Sequence, residues 1–235
     1  MPCHTQNPPA LDTLRRDIDA LDDEILALIE RRVALARKIA RAKRPSPTAV
    51  LIRPDREEHV IERLGGRSSL PRGSVATLWR ELMALSLQSQ RRTEIVIHAP
   101  ADPVGTVARS AARFGAAAPI VEAGSVEAAL TRARTGSAVA VVELSPASPW
   151  WLALECDGEL AVIEEIRGPG DKPSALALAR ISPAQLARAR RWEVLPEQEM
   201  DARLRYGETL CPLARAQGKV LCIVEDVATQ LQGAA

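Results

Sequence analysis

The sequence has few of the features that mark secreted, metal-binding or membrane proteins. Its four cysteines, in 235 residues, form no C-x-x-C pair and no metal-like spacing with the three histidines. No run approaches the roughly 18 apolar residues of a membrane span, and the first ten residues lack the apolar segment of a secretion signal. The formal net charge is only +1, so the whole chain has no attraction to nucleic acid or to anionic membranes. We therefore expect reduced thiols, no metal, no membrane partner and a cytoplasmic location.

The order of predicted elements divides the chain near residue 92. Before that point, apolar residues recur at helical spacing over about 11–43, 55–65 and 74–92, with proline-rich or glycine-rich breaks between them. After Thr93, short β-rich runs alternate with helical ones in a β-α-β-α-β order, which is typical of an α/β domain. The predicted fold is multi-domain, with an all-α three-helix domain over 1–92 and a smaller α/β domain with a mostly parallel sheet over 93–235.

Further along, the pattern predicts four more features. A β-hairpin is predicted where Leu152–Cys156 and Leu160–Ile166 flank Asp157-Gly158. Additional strands are predicted over Ala175–Ile181 and Val220–Val224, and Ser182 is predicted to cap a helix.

The first predicted helix carries an apolar stripe with spacings that alternate between three and four residues, as in a coiled-coil seam. The stripe consists of Leu11, Leu14, Ile18, Leu21, Ile25, Leu28, Leu35 and Ile39. Arg32 stands where the next apolar residue belongs. Because a buried guanidinium costs several kcal/mol unless an anion meets it, the sequence predicts an anionic ligand at Arg32.

The length of this helix, about 48 Å, is too great for two short helices to cover its stripe, so we expect a second copy of the chain to pack against it. Arg32 and Lys43 point within about 20° of each other and lie about 16 Å apart along the axis, so both can reach one ligand. Arg15 lies about 25 Å from Arg32. An antiparallel second copy would bring its Arg15 to Arg32 and Lys43, which predicts two composite sites per homodimer.

Polar residues also follow the apolar faces of the second and third helices. Glu57 shares a face with Val60, Ile61 and Leu64, and Ser86 and Gln90 continue the third helix's apolar face. Together with the cations, these side chains suit a small dianion that carries a hydroxyl. Each residue also has an ordinary interpretation: the arginines as surface residues, Ser86 and Gln90 as an exposed helix end, and Glu57 and Lys43 as partners of helix dipoles.

Residues 11–92 resemble the all-helical chorismate mutases. The family's opening segment L-x-x-L-R-x-x-I-D-x-L-D stands here as residues 11–22, LDTLRRDIDALD, and further matches are Glu30-Arg31-Arg32, Ala42-Lys43, Pro54-Asp55-Arg56-Glu57 and Ser86-Leu87-Gln88-Ser89-Gln90. The resemblance implies an intertwined homodimer that converts chorismate to prephenate in phenylalanine and tyrosine biosynthesis. This is a unimolecular rearrangement that requires no cofactor.

The resemblance also implies a role for each matching residue. Arg15 of the partner chain and Arg32 would bind the carboxylates, Lys43 and Gln90 the ether oxygen, and Glu57 the substrate hydroxyl, with supporting contacts from Arg56 and Ser86. Lys43, Gln90 and Glu57 are thus the predicted catalytic residues. Some family members have an aspartate where Arg53 stands here, so no role is carried over to that position.

Residues 93–180 resemble a shortened prephenate dehydratase lobe, through the β-α-β-α-β order and the strand Ala138–Leu144. The dehydratase's Thr-Arg-Phe signature is absent from Ala175–Ile181, so we expect an accessory or regulatory domain. The alternatives are a bifunctional mutase–dehydratase and a mutase-like sensor without activity. A nucleic-acid-binding module is a further alternative because 31–44, RRVALARKIARAKR, is basic. We expect no nucleic-acid partner, since acidic residues balance the basic ones.

Overall fold

The structure is a computed structural model, and it describes residues 9–43, 49–181 and 190–225. The helices are α1 (Pro9–Lys43), α2 (Pro54–Gly65), α3 (Arg72–Gln90), α4 (Pro103–Phe114), α5 (Val126–Arg134) and α6 (Glu197–Arg205). The strands are β1 (Glu94–His98), β2 (Ile120–Glu122), β3 (Ala138–Glu143), β4 (Ala161–Arg167), β5 (Pro173–Ala179), β6 (Arg190–Pro196), β7 (Thr209–Ala216) and β8 (Lys219–Glu225). The predicted three helices and the β-α-β-α-β order are confirmed. The predicted helix cap at Ser182 lies outside the described residues.

The chain divides into two compact units, Met1–Arg44 and Pro45–Ala235. In the second unit, α2 packs on α3 and α3 packs on α4, so these helices form one body with the α/β elements. The predicted change from helices to an α/β pattern does occur between α3 and β1. The assignment of domains to 1–92 and 93–235 stays a prediction.

Local chemistry explains where three helices of the second unit begin. α2 has Pro54 in its first turn, where a missing N–H costs nothing, and α4 begins in the same way at Pro103. The Asp102 carboxylate accepts a hydrogen bond from Gly105 N–H, and Ser125 caps α5 in the same manner through Ala128 N–H.

The main sheet has five strands in the order β2-β1-β3-β5-β4. β1 pairs in parallel with β2 and with β3, whereas β5 is antiparallel to both β3 and β4. Four of the five strands therefore run in one direction, and the predicted mostly parallel sheet is confirmed. A separate antiparallel sheet, in the order β6-β8-β7, follows it in the chain.

Each face of the five-stranded sheet contributes to a different hydrophobic cluster. One cluster joins Ile95 and Val141 to Phe114 of α4 and to Val50 and Ile52, which precede α2. The other cluster contains residues from the opposite face, α5 and β8, together with Trp151. Ile52 and Phe114, which cover the first face, line one small cavity together with Glu57 and Arg113.

The predicted hairpin around Asp157-Gly158 is wrong in its first strand. Residues Trp150–Cys156 form a 3₁₀ helix, because Trp151 is buried against the sheet and the Trp150 indole N–H donates to the Glu143 carbonyl at 2.8 Å. The Asp157 carboxylate accepts hydrogen bonds from Glu159 N–H and Leu160 N–H, both at 2.9 Å, and so forms a turn that leads into β4.

Asp157→Asn is expected to destabilise the fold by about 1–2 kcal/mol at neutral pH, because a neutral amide replaces a charged acceptor. Burial tends to raise the pKa of Asp157, but the hydrogen bonds from Leu160, Glu159 and Arg134 outweigh it and lower the pKa below its ordinary 3.8. The stabilisation is therefore present above pH 3.8 and lost as the pH falls through the lower folded-state value. Urea unfolding at pH 7 and pH 3 measures the difference, with the exposed Glu159→Gln as the control.

Two of the cysteines and the hydropathy of the helices bear on the expectations about thiols and membranes. Cys211 and Cys222 are both free thiols, one exposed and one buried. Among the residues that the structure describes, no helix is long and apolar enough to cross a membrane.

Candidate functional site

Three predicted site residues lie on α1. The Arg15 side chain is 62% exposed and its guanidinium lies 3.3 Å from the Asp12 carboxylate, an exposed ion pair of little energetic weight. Arg32 is partly buried, and burial lowers the pKa of its guanidinium. Lys43 is the last residue of α1, and its side chain lies outside the described part of the chain.

The apolar stripe of α1 is exposed. The side chains of seven stripe residues are between 50% and 63% accessible, namely Leu14, Ile18, Leu21, Ile25, Leu28, Leu35 and Ile39. An exposed row of this length is unusual on a monomer and is typical of a surface that packs against another protein.

The site residues of α3 make hydrogen bonds to the backbone of their own helix. The Ser86 hydroxyl donates to the Leu82 carbonyl at 2.8 Å, and the Gln90 side-chain amide donates to the Ser86 carbonyl at 3.1 Å. Ser86 is buried, whereas Gln90 is partly exposed. Gln88, on a neighbouring face, bonds through both ends of its amide to the backbone of Thr93.

On α2, Arg56 is exposed, whereas Glu57 is only 20% exposed and faces the α/β elements. Glu57 Oε2 accepts a hydrogen bond from Arg113 Nη1 of α4 at 2.8 Å. The Nε of the same guanidinium donates to Glu164 Oε2 of β4 at 2.5 Å. Arg113 therefore bridges two carboxylates that come from different elements.

Arg113 is itself only 15% exposed, and its guanidinium carbon lies 5.2 Å from the centre of the Phe114 ring. Burial alone would lower the pKa of Arg113, but the charges and hydrogen bonds of Glu57 and Glu164 outweigh burial and raise it. The guanidinium is thus fixed as a cation between its two partners.

The close approach of α4 to α3 places Arg113. Gly115 follows α4 with a φ of +82°, and a Cβ at this position would lie 2.4 Å from the Ala84 Cβ of α3. Only glycine permits both this backbone conformation and this contact. The Glu81 carboxylate of α3 also accepts a hydrogen bond from Ala116 N–H at 2.9 Å.

A β-bulge in β4 places Glu164. The pairing of β4 with β5 shifts by one residue between Val162 and Glu164, so that Glu164 lies opposite Ala177. Ala177 belongs to the sheet face that includes Phe114, whereas Val162 belongs to the opposite face. The extra residue therefore turns Glu164 toward α4, as bulges commonly redirect a side chain.

A cavity of about 20 Å³ lies beside the bridge. Glu57 and Arg113 line it together with Arg80, Leu87 and Gln88. Its volume is enough for about one water molecule and far too small for a metabolite. In the described residues no group of three or more histidine, cysteine, aspartate or glutamate side chains is placed to hold a metal ion.

Arg113 and Glu164 are not among the site residues that the sequence predicts. A signal for Arg113 did exist in the sequence: Thr106, Ser110 and Arg113 recur at helical spacing, which places three polar side chains in one row along α4. No local pattern marks Glu164, because the bulge that turns it arises from strand pairing. The roles predicted for the seven site residues stay predictions.

Comparison with known proteins identifies the helical part of the chain. Residues 14–91 match the family model described as chorismate mutase type II. All seven predicted site residues lie within this range. The N-terminal part of the chain is therefore a chorismate mutase type II region, and the resemblance read from the sequence is confirmed.

Two groups of curated relatives match. The intracellular chorismate mutases of Mycobacterium tuberculosis and Mycobacterium bovis are each 46% identical over 59 residues, which are 25% of this chain and 55% of theirs. A bifunctional chorismate mutase/prephenate dehydratase of Neisseria gonorrhoeae is 38% identical over 108 residues, 44% of this chain and 28% of the relative, and supports the predicted C-terminal resemblance. The chain spans about half the length of the mycobacterial relatives. No solved structure matches the chain significantly.

Proposed function

We propose that this chain, whose residues 14–91 match the chorismate mutase type II family, is an isomerase that converts chorismate to prephenate in aromatic amino acid biosynthesis. The observation that carries the proposal is the family match, because it contains every residue of the anion-binding pattern that the sequence predicts. The relatives named intracellular support a cytoplasmic location.

The proposed mechanism is electrostatic and geometric. The rearrangement breaks a C–O bond and forms a C–C bond within one molecule, so the site needs no nucleophile. Arg32 and the partner chain's Arg15 would hold the carboxylates in the reactive conformer, and Glu57 would accept a hydrogen bond from the substrate hydroxyl. Lys43 and Gln90 would stabilise the negative charge that develops on the ether oxygen as its bond lengthens. Arg56 and Ser86 would support these contacts.

A homodimer is part of the proposal. The exposed α1 stripe supports it, because each leucine or isoleucine that becomes fully buried contributes about 1.5–3 kcal/mol. A second α1 is the partner whose apolar period matches this stripe over its whole length. An antiparallel arrangement would also deliver Arg15 to the site of the other chain.

A bifunctional mutase–dehydratase is the second candidate, favoured by the Neisseria gonorrhoeae relative. We rank it lower because backbone N–H groups near the carboxyl ends of β1 and β3 are already bonded to carboxylates of the chain. α/β folds commonly bind ligands at this edge of the sheet. There Ala101 N–H donates to Glu143 at 2.9 Å and Gly105 N–H donates to Asp102 at 3.0 Å. Carboxylates of the chain itself thus hold amide donors that an anionic substrate would use.

The test is chorismate consumption by the purified full chain with analysis of the products. Prephenate as the sole product supports the proposal, and prephenate followed by phenylpyruvate supports the bifunctional candidate. Absence of turnover contradicts the proposed activity. Calorimetry with chorismate then separates a sensor, which binds without turnover, from a protein that does not recognise chorismate.

A further inference from the structure

The α/β part of the chain holds the carboxylate that the proposed mutase site directs at the substrate. Glu57 lies on α2, inside the region that matches the mutase family, whereas Arg113 lies on α4, outside that region. Their 2.8 Å ion pair joins residues 56 positions apart in the sequence. A charged contact between half-buried groups restricts the orientation of both side chains.

Arg113 uses only one oxygen of Glu57. The guanidinium contacts Oε2, and Oε1 accepts no hydrogen bond from the described residues of 49–181 and 190–225. One oxygen is thus anchored while the other is left for a hydrogen-bond donor. A substrate hydroxyl is a donor of the required kind.

Arg113 is largely buried and is paired with carboxylates of the chain. It is only 15% exposed, and Glu57 and Glu164 occupy its Nη1 and Nε groups. Glu57 is the predicted site residue that Arg113 contacts, so we expect any influence of Arg113 on the proposed reaction to act through this carboxylate.

We infer that Arg113 is a positioning residue for the proposed mutase reaction, holding the Glu57 side chain oriented toward the substrate hydroxyl, with Glu164 anchoring the guanidinium from β4. The inference rests on the proposed function. It gives the α/β part a direct task in the mutase site, and it requires that the bulge in β4 and the Gly115 contact serve the geometry of α2.

The test compares two variants that differ in the Arg113–Glu57 contact. Arg113→Gln combined with Glu164→Gln removes one positive and one negative charge, so the buried charge balance is kept while Glu57 loses its partner. Glu164→Gln alone keeps the contact and is the matched control. Arg109→Gln controls for the loss of an arginine from α4, because Arg109 pairs with Asp102 and not with α2. Circular dichroism and thermal unfolding confirm that each variant is folded at the assay temperature.

The double variant is expected to lower kcat/KM for chorismate by about tenfold, since small misplacements of a substrate contact cost one to two orders of magnitude. The loss should divide between kcat and KM as it does in Glu57→Gln. When Glu57→Gln is already present, the double variant should cause no further loss. Arg109→Gln should stay within about twofold of the wild type, and Glu164→Gln, which weakens the anchor but keeps the Arg113–Glu57 contact, should lose less than the double variant.

Three outcomes would overturn the inference while leaving the proposed function intact. They are an unchanged kcat/KM in the double variant, an equal loss with and without Glu57→Gln, and an increase in kcat/KM. The last would mean that Arg113 withdraws Glu57 from the substrate. A wild-type chain that does not turn over chorismate would instead overturn the proposed function, and this inference with it.

Discussion

Lys43→Ala and Gln90→Leu are each expected to lower the turnover of chorismate by about 10²–10³, which is the usual effect of removing one donor from a developing oxyanion. In the proposed mechanism both side chains act on the ether oxygen, whose charge grows only as the C–O bond lengthens. The loss should therefore appear mainly in kcat. Steady-state kinetics of the purified variants, with prephenate as the measured product, tests this.

Gln88→Leu is the matched control for Gln90→Leu, because it makes the same change two residues away on α3. The Gln88 amide bonds to the backbone N–H and carbonyl of Thr93 at 3.1 and 2.9 Å, so its loss should lower stability rather than turnover. Near-wild-type turnover by Lys43→Ala or Gln90→Leu would refute the role given to that residue. A large loss in Gln88→Leu alone would transfer the role of Gln90 to Gln88.

A mixture of Arg15→Ala and Lys43→Ala chains is expected to recover about a quarter of the wild-type activity, although each variant alone is nearly inactive. The reason is the proposed composite site. In a mixed dimer, one site combines the intact Arg15 of one chain with the intact Lys43 of the other, and the second site carries both changes. Half of the randomly formed dimers are mixed, and each has one working site.

The measurement requires that chains exchange, which co-refolding an equimolar mixture ensures. Light scattering on each variant establishes whether it is a dimer. A mixture of Arg32→Ala and Lys43→Ala is the control, since both residues belong to the same chain's part of the site and no mixed dimer restores it. Nearly inactive dimeric variants that show no recovery would place Arg15 in the same chain's part of the site as Lys43, and a monomeric wild type would exclude the composite arrangement altogether.

The helical elements were predictable because their boundaries depend on local chemistry. Pro54 and Gly66 enclose α2, and the capping residues Asp102 and Ser125 begin α4 and α5. The turn at Asp157 was also predictable, but the structure before it was not. Trp150–Cys156 forms a 3₁₀ helix and not a strand because Trp151 packs into a hydrophobic cluster. The residues of that cluster are distant in the sequence.

The predicted site was accessible to sequence reasoning only in part. Arg32 was identifiable because it interrupts the apolar stripe of α1, and such an interruption is visible in the spacing of residues along the sequence. The partner of Glu57 gave no such signal, since it lies 56 residues away and reaches α2 only because α4 packs against α3 at Gly115. The structure likewise turns Ser86 and Gln90 to backbone carbonyls of α3, a detail that helical spacing does not contain.

The sequence by itself determined the order of elements, the long α1 with its apolar stripe and the family of residues 14–91, because periodicity, capping and motif spacing are properties of neighbouring residues. Only the tertiary structure decided that α2 and α3 pack with the α/β elements and that Arg113 joins Glu57 to Glu164. A buried guanidinium between two carboxylates is stable only when three separate elements, one of them bulged, bring their side chains to the same point. That convergence depends on packing, which no local segment encodes.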